Sequence, residues 1–238
     1  MLTTDFVIQD TEAVSFDEIF LSEENKKALN QVLKEHIYFS ELSKYGLCPD
    51  NKILFHGASG CGKTLTAKAI AKTLNKPAFV LNLSNLVNSR IGETSKNMKA
   101  VFDKAQREKA VLFLDEFDQI GKSRTDDERD VGEMRRLVNT IIQLFDYFPK
   151  DGVLICATNH IDFIDFALLR RFQLKLSFEM PSKKDLDAYY DEKLAVFPEK
   201  FRNIERKYAI SYAEAKDYIQ TQMKKAIIHD LEKQKNVT

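Results

Sequence analysis

Short apolar runs alternate with longer segments of helical period along roughly the first three quarters of the chain. The runs are rich in β-branched, aliphatic and aromatic residues, as expected of buried strands. In the segments between them, apolar residues recur three and four positions apart, as in amphipathic helices. This alternation predicts a parallel sheet covered by helices. The predicted strands are 52–56 (KILFH), 78–82 (AFVLN), 111–115 (VLFLD), 152–158 (GVLICAT) and 174–178 (LKLSF).

The pattern changes after Pro181, where helical signals replace the strands. Ser182 with Asp185, and Ser211 with Glu214, have the spacing of capping boxes, which begin helices. The second box opens a run without Gly or Pro up to the end of the sequence. We therefore expect an irregular lead-in over residues 1–14, an α/β core over 15–181 and a small helical domain over 182–238.

Composition narrows the class of partner. The 238 residues include 36 basic and 36 acidic side chains, so no overall field attracts nucleic acid or an anionic membrane surface. The first residues lack the pattern of a secretory signal, and no apolar stretch reaches bilayer length. The three cysteines are widely spaced and suit reduced thiols. We expect a soluble, cytoplasmic protein with no membrane contact, for which nucleic acid is a disfavoured partner.

The stretch FHGASGCGKT joins the first predicted strand to a helical segment. Its spacing, with Gly57 four residues before Gly62, Lys63 and Thr64, is the phosphate-binding Walker A pattern. Glycines let the backbone wrap a polyphosphate, and the following helix adds its positive N-terminal end. We expect Lys63 at the β- and γ-phosphates of the nucleotide and the Thr64 hydroxyl on Mg²⁺. A Gly-rich turn without a ligand is the alternative. The predicted nucleotide contacts are Gly57, Ser59, Gly60, Cys61, Gly62, Lys63, Thr64 and Leu65.

A second motif, VLFLDEFD, ends a predicted buried strand in two carboxylates. In phosphate-loop enzymes an Asp at this point, here Asp115, holds Mg²⁺, while a neighbouring Glu, here Glu116, polarises the attacking water. A solvent-facing acidic cluster is the alternative. The Walker A loop upstream favours the metal site, because Mg²⁺ needs a carboxylate.

Together these motifs resemble those of the AAA ATPase family, over about residues 15–226. The segments LFLDEFDQIGK, GEMRRLVN and ATNH followed by LLRRF are most similar to small stand-alone bacterial members. The resemblance implies a five-stranded parallel P-loop sheet sandwiched by helices and followed by a helical lid. It also implies ATP and Mg²⁺ as cofactors and a homo-oligomeric ring, usually a hexamer.

The resemblance also suggests roles for residues outside the two motifs. ATNH resembles the sensor 1 strand, which implies that Asn159 helps to position the hydrolytic water. FALLRRF resembles the segment carrying arginine fingers, so Arg170 and Arg171 are implied to act on a neighbouring subunit's nucleotide. The remaining implied nucleotide contacts are Asp17 and Ile19 at the adenine and Ala213 in the lid.

One stretch departs from the family pattern. SRIGE stands where peptide-threading members carry an aromatic residue, and Arg90 takes the place of the aromatic ring. The charged guanidinium of an arginine binds an acidic or polar surface better than it binds an extended apolar peptide. An ordinary exposed loop arginine is the alternative.

The sequence thus predicts Mg-dependent ATP hydrolysis by a ring-forming AAA module that remodels or regulates a protein partner. One alternative is a nucleotide-switched assembly protein with slow turnover. Another is a small-molecule kinase, which would not need Glu116, Asn159 or the paired arginines.

Overall fold

The computed structural model describes residues 8–10, 14–84, 91–122 and 128–235, and within them a six-stranded sheet. Its strand order is β1-β3-β4-β5-β2-β6, and every neighbouring pair is parallel except β1 with β3. The strands are β1 (Ile8–Asp10), β2 (Lys52–Gly57), β3 (Ala78–Asn82), β4 (Val111–Asp115), β5 (Val153–Thr158) and β6 (Leu174–Phe178). The five predicted strands are therefore confirmed, with ends that differ by one residue at most.

The short strand β1 corrects the prediction of an irregular lead-in over residues 1–14. Ile8–Asp10 pairs antiparallel with β3, and Ile8 lies opposite Val80. A three-residue strand is too short to show a period in sequence. Its pairing covers an edge that would otherwise present unpaired backbone groups.

Helices fill the connections between the parallel strands, as the periodicity predicts. In the part of the chain that carries the sheet, they are α1 (Glu23–Ile37), α2 (Phe39–Ser43), α3 (Lys63–Thr73), α4 (Ile91–Arg107), α5 (Gln119–Lys122), α6 (Glu128–Asp146) and α7 (Phe166–Leu169). Two longer helices follow the sheet, α8 (Lys183–Ala195) and α9 (Tyr212–Lys235). Both predicted capping boxes form at the starts of these two helices.

One large apolar cluster joins the central strands to α4 and α6. Met98 and Phe102 of α4, which lie at helical spacing, are buried there, and so are Leu137, Ile141 and Phe145 of α6. Strand β5 is buried along its whole length, which explains its continuous apolar sequence. The core therefore fixes the carboxyl ends of β2, β4 and β5, where the candidate site residues lie.

The chain divides into two compact units. The first contains Met1–Gly57 and Lys63–Phe178, and the second contains Ala58–Gly62 and Glu179–Thr238. In the second unit α8 packs on α9, with Tyr190, Ile219 and Met223 buried. The predicted domain boundary between residues 181 and 182 stays a prediction.

Within the described ranges, no helix is both long enough and apolar enough to cross a bilayer. A cytoplasmic location stays a prediction.

Candidate active site

The phosphate loop begins where β2 meets β6 at close range. Gly57 has φ 127°, and a Cβ atom there would lie 2.2 Å from the carbonyl oxygen of Phe178. No side chain fits that space, so β2 can end beside β6 only with glycine at this position. Gly60 (φ 74°) and Gly62 (φ 98°) also have positive φ, which turns the backbone back toward α3.

Lys63, the first residue of α3, is held at the end of the sheet. Its ammonium donates hydrogen bonds to the carbonyl oxygen of Gly57 at 2.8 Å and to Oδ1 of Asn159 at 2.9 Å. The lysine is buried, whereas Asn159 is exposed directly after β5. The structure thus brings together the Walker A lysine and the predicted sensor residue, which lie 96 positions apart in sequence.

The middle of the phosphate loop belongs to the second unit and contacts the start of α9. The backbone N–H of Ala213 donates to the carbonyl oxygen of Gly60 at 3.1 Å. A Cβ atom at Gly60 would lie 2.6 Å from Oγ of Ser211, so a side chain there would displace the cap of α9. Cys61 is buried, with Sγ 3.9 Å from the sulfur of Met180. A contact of Ala213 with the nucleotide stays a prediction.

Asp115 ends β4 next to the hydroxyl of Thr64. Thr64 Oγ1 donates to Oδ2 of Asp115 at 3.4 Å, and the N–H of Glu116 donates to Oδ1 at 2.9 Å. Burial has the largest effect on Asp115 and raises its pKa, and the charge of Glu116 raises the pKa further. The hydrogen bond from the Glu116 N–H and the charge of Lys63 lower the pKa. A hydroxyl and a carboxylate side by side fit Mg²⁺, which takes few protein oxygens and keeps several waters.

Glu116 has an unusual backbone conformation. Its φ of 55° lies in the left-handed region, which costs a non-glycine residue about 1 kcal/mol or more. Hydrogen bonds hold the turn on both sides, from the N–H of Phe117 to Ala157 O at 2.8 Å and from that of Gln119 to Glu116 O at 2.9 Å. The strained turn directly follows the end of β4. The sequence gives no signal for this conformation.

One buried hydrogen-bonded pair, Thr158 with Asp118, is not predicted from the sequence. Thr158 Oγ1 donates to Oδ1 of Asp118 at 2.8 Å and accepts from the N–H of His160 at 2.9 Å. Both Thr158 and Asp118 are almost fully buried. This network fixes the turn that carries Asn159. The last acidic residue of DEFD, three positions after Asp115, is the only signal in the sequence.

We expect Asp118→Ala to lower the free energy of unfolding by about 2–3 kcal/mol, because the buried Thr158 hydroxyl loses its acceptor. Urea denaturation followed by circular dichroism measures the change, with exposed Asp162→Ala as the matched control. An effect no larger than that of the control would contradict a structural role for Asp118.

The two adjacent arginines differ in environment. Arg171 binds Asp146 through two hydrogen bonds, Nε to Oδ1 at 2.7 Å and Nη2 to Oδ2 at 2.8 Å. Its Nη1 also donates to Ala167 O at 2.6 Å, and only 17% of its side chain is exposed. The hydrogen bonds from Arg171 lower the pKa of Asp146. Arg170 is exposed at the end of α7. The guanidinium of Arg171 is therefore engaged within its own chain. The trans role stays a prediction for both arginines.

The predicted adenine contacts, Asp17 and Ile19, lie in and beside a 3₁₀ turn over Phe16–Glu18. Ile19 is buried with Val14 and with Ala69 of α3, and its N–H donates to Phe16 O at 3.1 Å. Asp17 is exposed. The turn is thus attached to the helix that follows the phosphate loop, and adenine binding stays a prediction for both residues.

The remaining predicted residues are placed as follows. Ser59 and Leu65 are exposed on either side of the loop's last glycine. Arg90 lies outside the described residues, so the contact made at the position of the usual aromatic ring stays a prediction.

A five-stranded parallel sheet, a glycine loop before α3 and the two carboxylates at the end of β4 define a phosphate-loop nucleoside triphosphatase. The model of the family "ATPase family associated with various cellular activities (AAA)" matches residues 53–180. The chain belongs to the AAA family of ATPases and is an ATP-hydrolysing enzyme of that class.

Individual relatives agree with this assignment. The chain is 35% identical over 233 residues to the uncharacterized AAA family ATPase y4kL of Sinorhizobium fredii, covering 97% of this chain and 70% of that protein. It is 35% identical over 162 residues to the peroxisomal ATPase pex6 of Schizosaccharomyces pombe, covering 66% of this chain but 17% of that protein. The crystal structure of the FIGL-1 AAA domain has a similar fold, with a TM-score of 0.64, 23% identity and coverage of 81% of this chain and 63% of that one.

Proposed function

We propose that the chain hydrolyses Mg-ATP as part of a homo-oligomeric ring, with each active site completed by a neighbouring subunit, and uses the cycle to remodel or regulate a protein partner. The observation that carries this proposal is the convergence of Lys63, Asn159, Asp115 and Glu116 at the carboxyl ends of three strands. Ligands of open α/β sheets bind at such ends.

The residues of this chain suit the separate tasks of hydrolysis. The loop N–H groups and the Lys63 ammonium bind the phosphates, and the positive end of α3 favours their charge. Thr64 and Asp115 would hold Mg²⁺, which supplies positive charge to the phosphate oxygens when bound. Glu116 accepts a proton from the attacking water, and Asn159 orients that water by hydrogen bonding.

We expect a neighbouring subunit to supply one further group to the site. Phosphoryl transfer is accelerated by a guanidinium that neutralises charge in the transition state. Arg170 is exposed, whereas Arg171 is held by Asp146. We therefore assign the trans-acting role to Arg170, and a head-to-tail ring supplies it to every site in turn. A hexamer is the ring size that the family resemblance implies.

A protein partner fits the chain better than nucleic acid. The formal net charge is zero, and binding to nucleic acid depends on basic side chains that neutralise phosphates. The chain spans only 17% of the peroxisomal ATPase pex6 and 19% of the ATPase family gene 2 protein. Their substrates are therefore not assigned to this chain, and the partner is proposed by class only.

The direct test is the rate of phosphate release per subunit, measured over a wide range of protein concentration with Mg²⁺ or with EDTA. We expect the rate per subunit to fall on dilution, in step with the ring mass from light scattering, and to vanish with EDTA. A rate independent of dilution would contradict the shared site. Ring formation on ATP with very slow turnover would favour a nucleotide-switched assembly protein.

A further inference from the structure

The hydrolytic carboxylate and the arginine segment are joined by a closed set of aromatic rings. Phe117 directly follows Glu116, and its ring lies 5.9 Å from that of Phe145 and 5.9 Å from that of Phe172. Phe145 and Phe172 are 5.4 Å apart, so each ring contacts both others. All three side chains are buried. Packed interiors resist deformation, so the three backbone segments are fixed relative to each other.

The ion pair of Arg171 with Asp146 adds a polar connection beside these rings. Asp146 directly follows Phe145 at the end of α6, and Arg171 directly precedes Phe172. Two parallel hydrogen bonds between a guanidinium and a carboxylate restrict both distance and direction. The ion pair therefore also restrains Arg171, the residue next to Arg170, beside the rigid aromatic cluster.

Helix α7 has only four residues, and a helix that short does not hold its own end firmly. Arg170 directly follows this helix, and its charge lowers the pKa of Asp146. The Arg170 side chain is exposed. A long exposed arginine loses much rotamer freedom when it is held in one direction, so a fixed backbone beneath it improves its positioning.

We propose that Asp146 is a positioning residue for the reaction at a neighbouring subunit. It holds Arg171 by its guanidinium, and this contact fixes the direction in which the adjacent Arg170 leaves the surface. The proposal rests on the shared active site described above. It separates the arginines into an anchor and a trans-acting group.

The opposite role for Asp146 is restraint, in which it keeps Arg171 from acting on the neighbour. Arg171 also donates to Ala167 O within its own turn and is mostly buried, which suits an anchor. The two roles predict opposite effects. If Asp146 positions Arg170 through Arg171, loss of its carboxylate slows turnover. If Asp146 restrains Arg171, loss of its carboxylate accelerates turnover.

Mixed rings test the proposal. Donor copies carry Glu116→Gln, cannot hydrolyse at their own site and still present Arg170. Acceptor copies carry Arg170→Ala, keep Glu116 and depend on a donor neighbour. We expect Asp146→Asn in the donor to lower the restored turnover number by about 10- to 100-fold, since a misplaced catalytic group costs that much. The same change in the acceptor is expected to have less than about a twofold effect.

The acceptor placement controls for folding, because both mixtures contain the same substitutions overall. Asp151→Asn in the donor removes an exposed carboxylate five positions further along the chain and should leave the restored rate unchanged. Asp146→Glu in the donor should restore part of the loss, and the KM for ATP should not change. Equal effects in donor and acceptor, no effect in the donor, or a faster rate would each overturn the proposal. If unmodified mixtures show no restored turnover while the natural chain is active, the shared site itself fails.

Discussion

Glu116→Gln is expected to lower the turnover number for ATP by about 10²- to 10⁴-fold while ATP binding is kept. Glutamine has nearly the same shape as glutamate but accepts a proton far less readily, so the attacking water is not activated. Lys63, Thr64 and Asp115 are unchanged, and they supply the contacts to phosphate and metal. Phosphate release measures turnover, and a fluorescent ATP analogue measures affinity. Exposed Glu108→Gln, directly after α4, is the matched control.

Two results would oppose this assignment. Turnover close to that of the control would show that another group activates the water. Loss of binding together with turnover would show that Glu116 contributes mainly to the structure of the turn. The second result matters because the residue has φ 55°, and a disturbed turn would shift Asp115 as well.

Arg170→Ala is expected to lower the turnover number by about 10³-fold or more, because the neighbouring site loses a positive charge that stabilises the transition state. ATP affinity should change little, and ring mass from light scattering should be kept. Arg170→Lys should recover only part of the rate, since an ammonium lacks the planar fork of a guanidinium. Exposed Arg107→Ala at the end of α4 is the control.

A fall in turnover that follows a loss of ring mass would instead assign Arg170 to subunit contact. Unchanged turnover with intact rings would leave the site without a trans-acting arginine at this position. Measuring rate and mass on the same samples separates these outcomes.

The sheet and the two nucleotide motifs could be predicted because their signals are local. Strands such as β5 are continuous apolar runs, and the loop from Gly57 to Thr64 needs glycine and charge at fixed spacing. Parallel strands end at one edge of the sheet, so Lys63, Asp115 and Asn159 could be expected to meet there.

The features that sequence reasoning missed depend on pairing between distant segments. Thr158 and Asp118 form one buried hydrogen bond across 40 positions, and neither residue type is unusual where it stands. Arg171 and Asp146 are separated by 25 positions, so the sequence could not show which of two adjacent arginines has a partner. The positive φ of Glu116 has no signal, because such a conformation is expected mainly of glycine and, among other residues, of asparagine, aspartate or histidine.

The central claim is tested most directly by mixing the Glu116→Gln chain with the Arg170→Ala chain, each nearly inactive alone. In a head-to-tail ring, half of the subunits keep Glu116 and half of their neighbours offer Arg170, so roughly a quarter of the natural rate should return at equal amounts. A rate that stays at the sum of the two separate chains, in rings shown to contain both, would contradict a site shared between subunits.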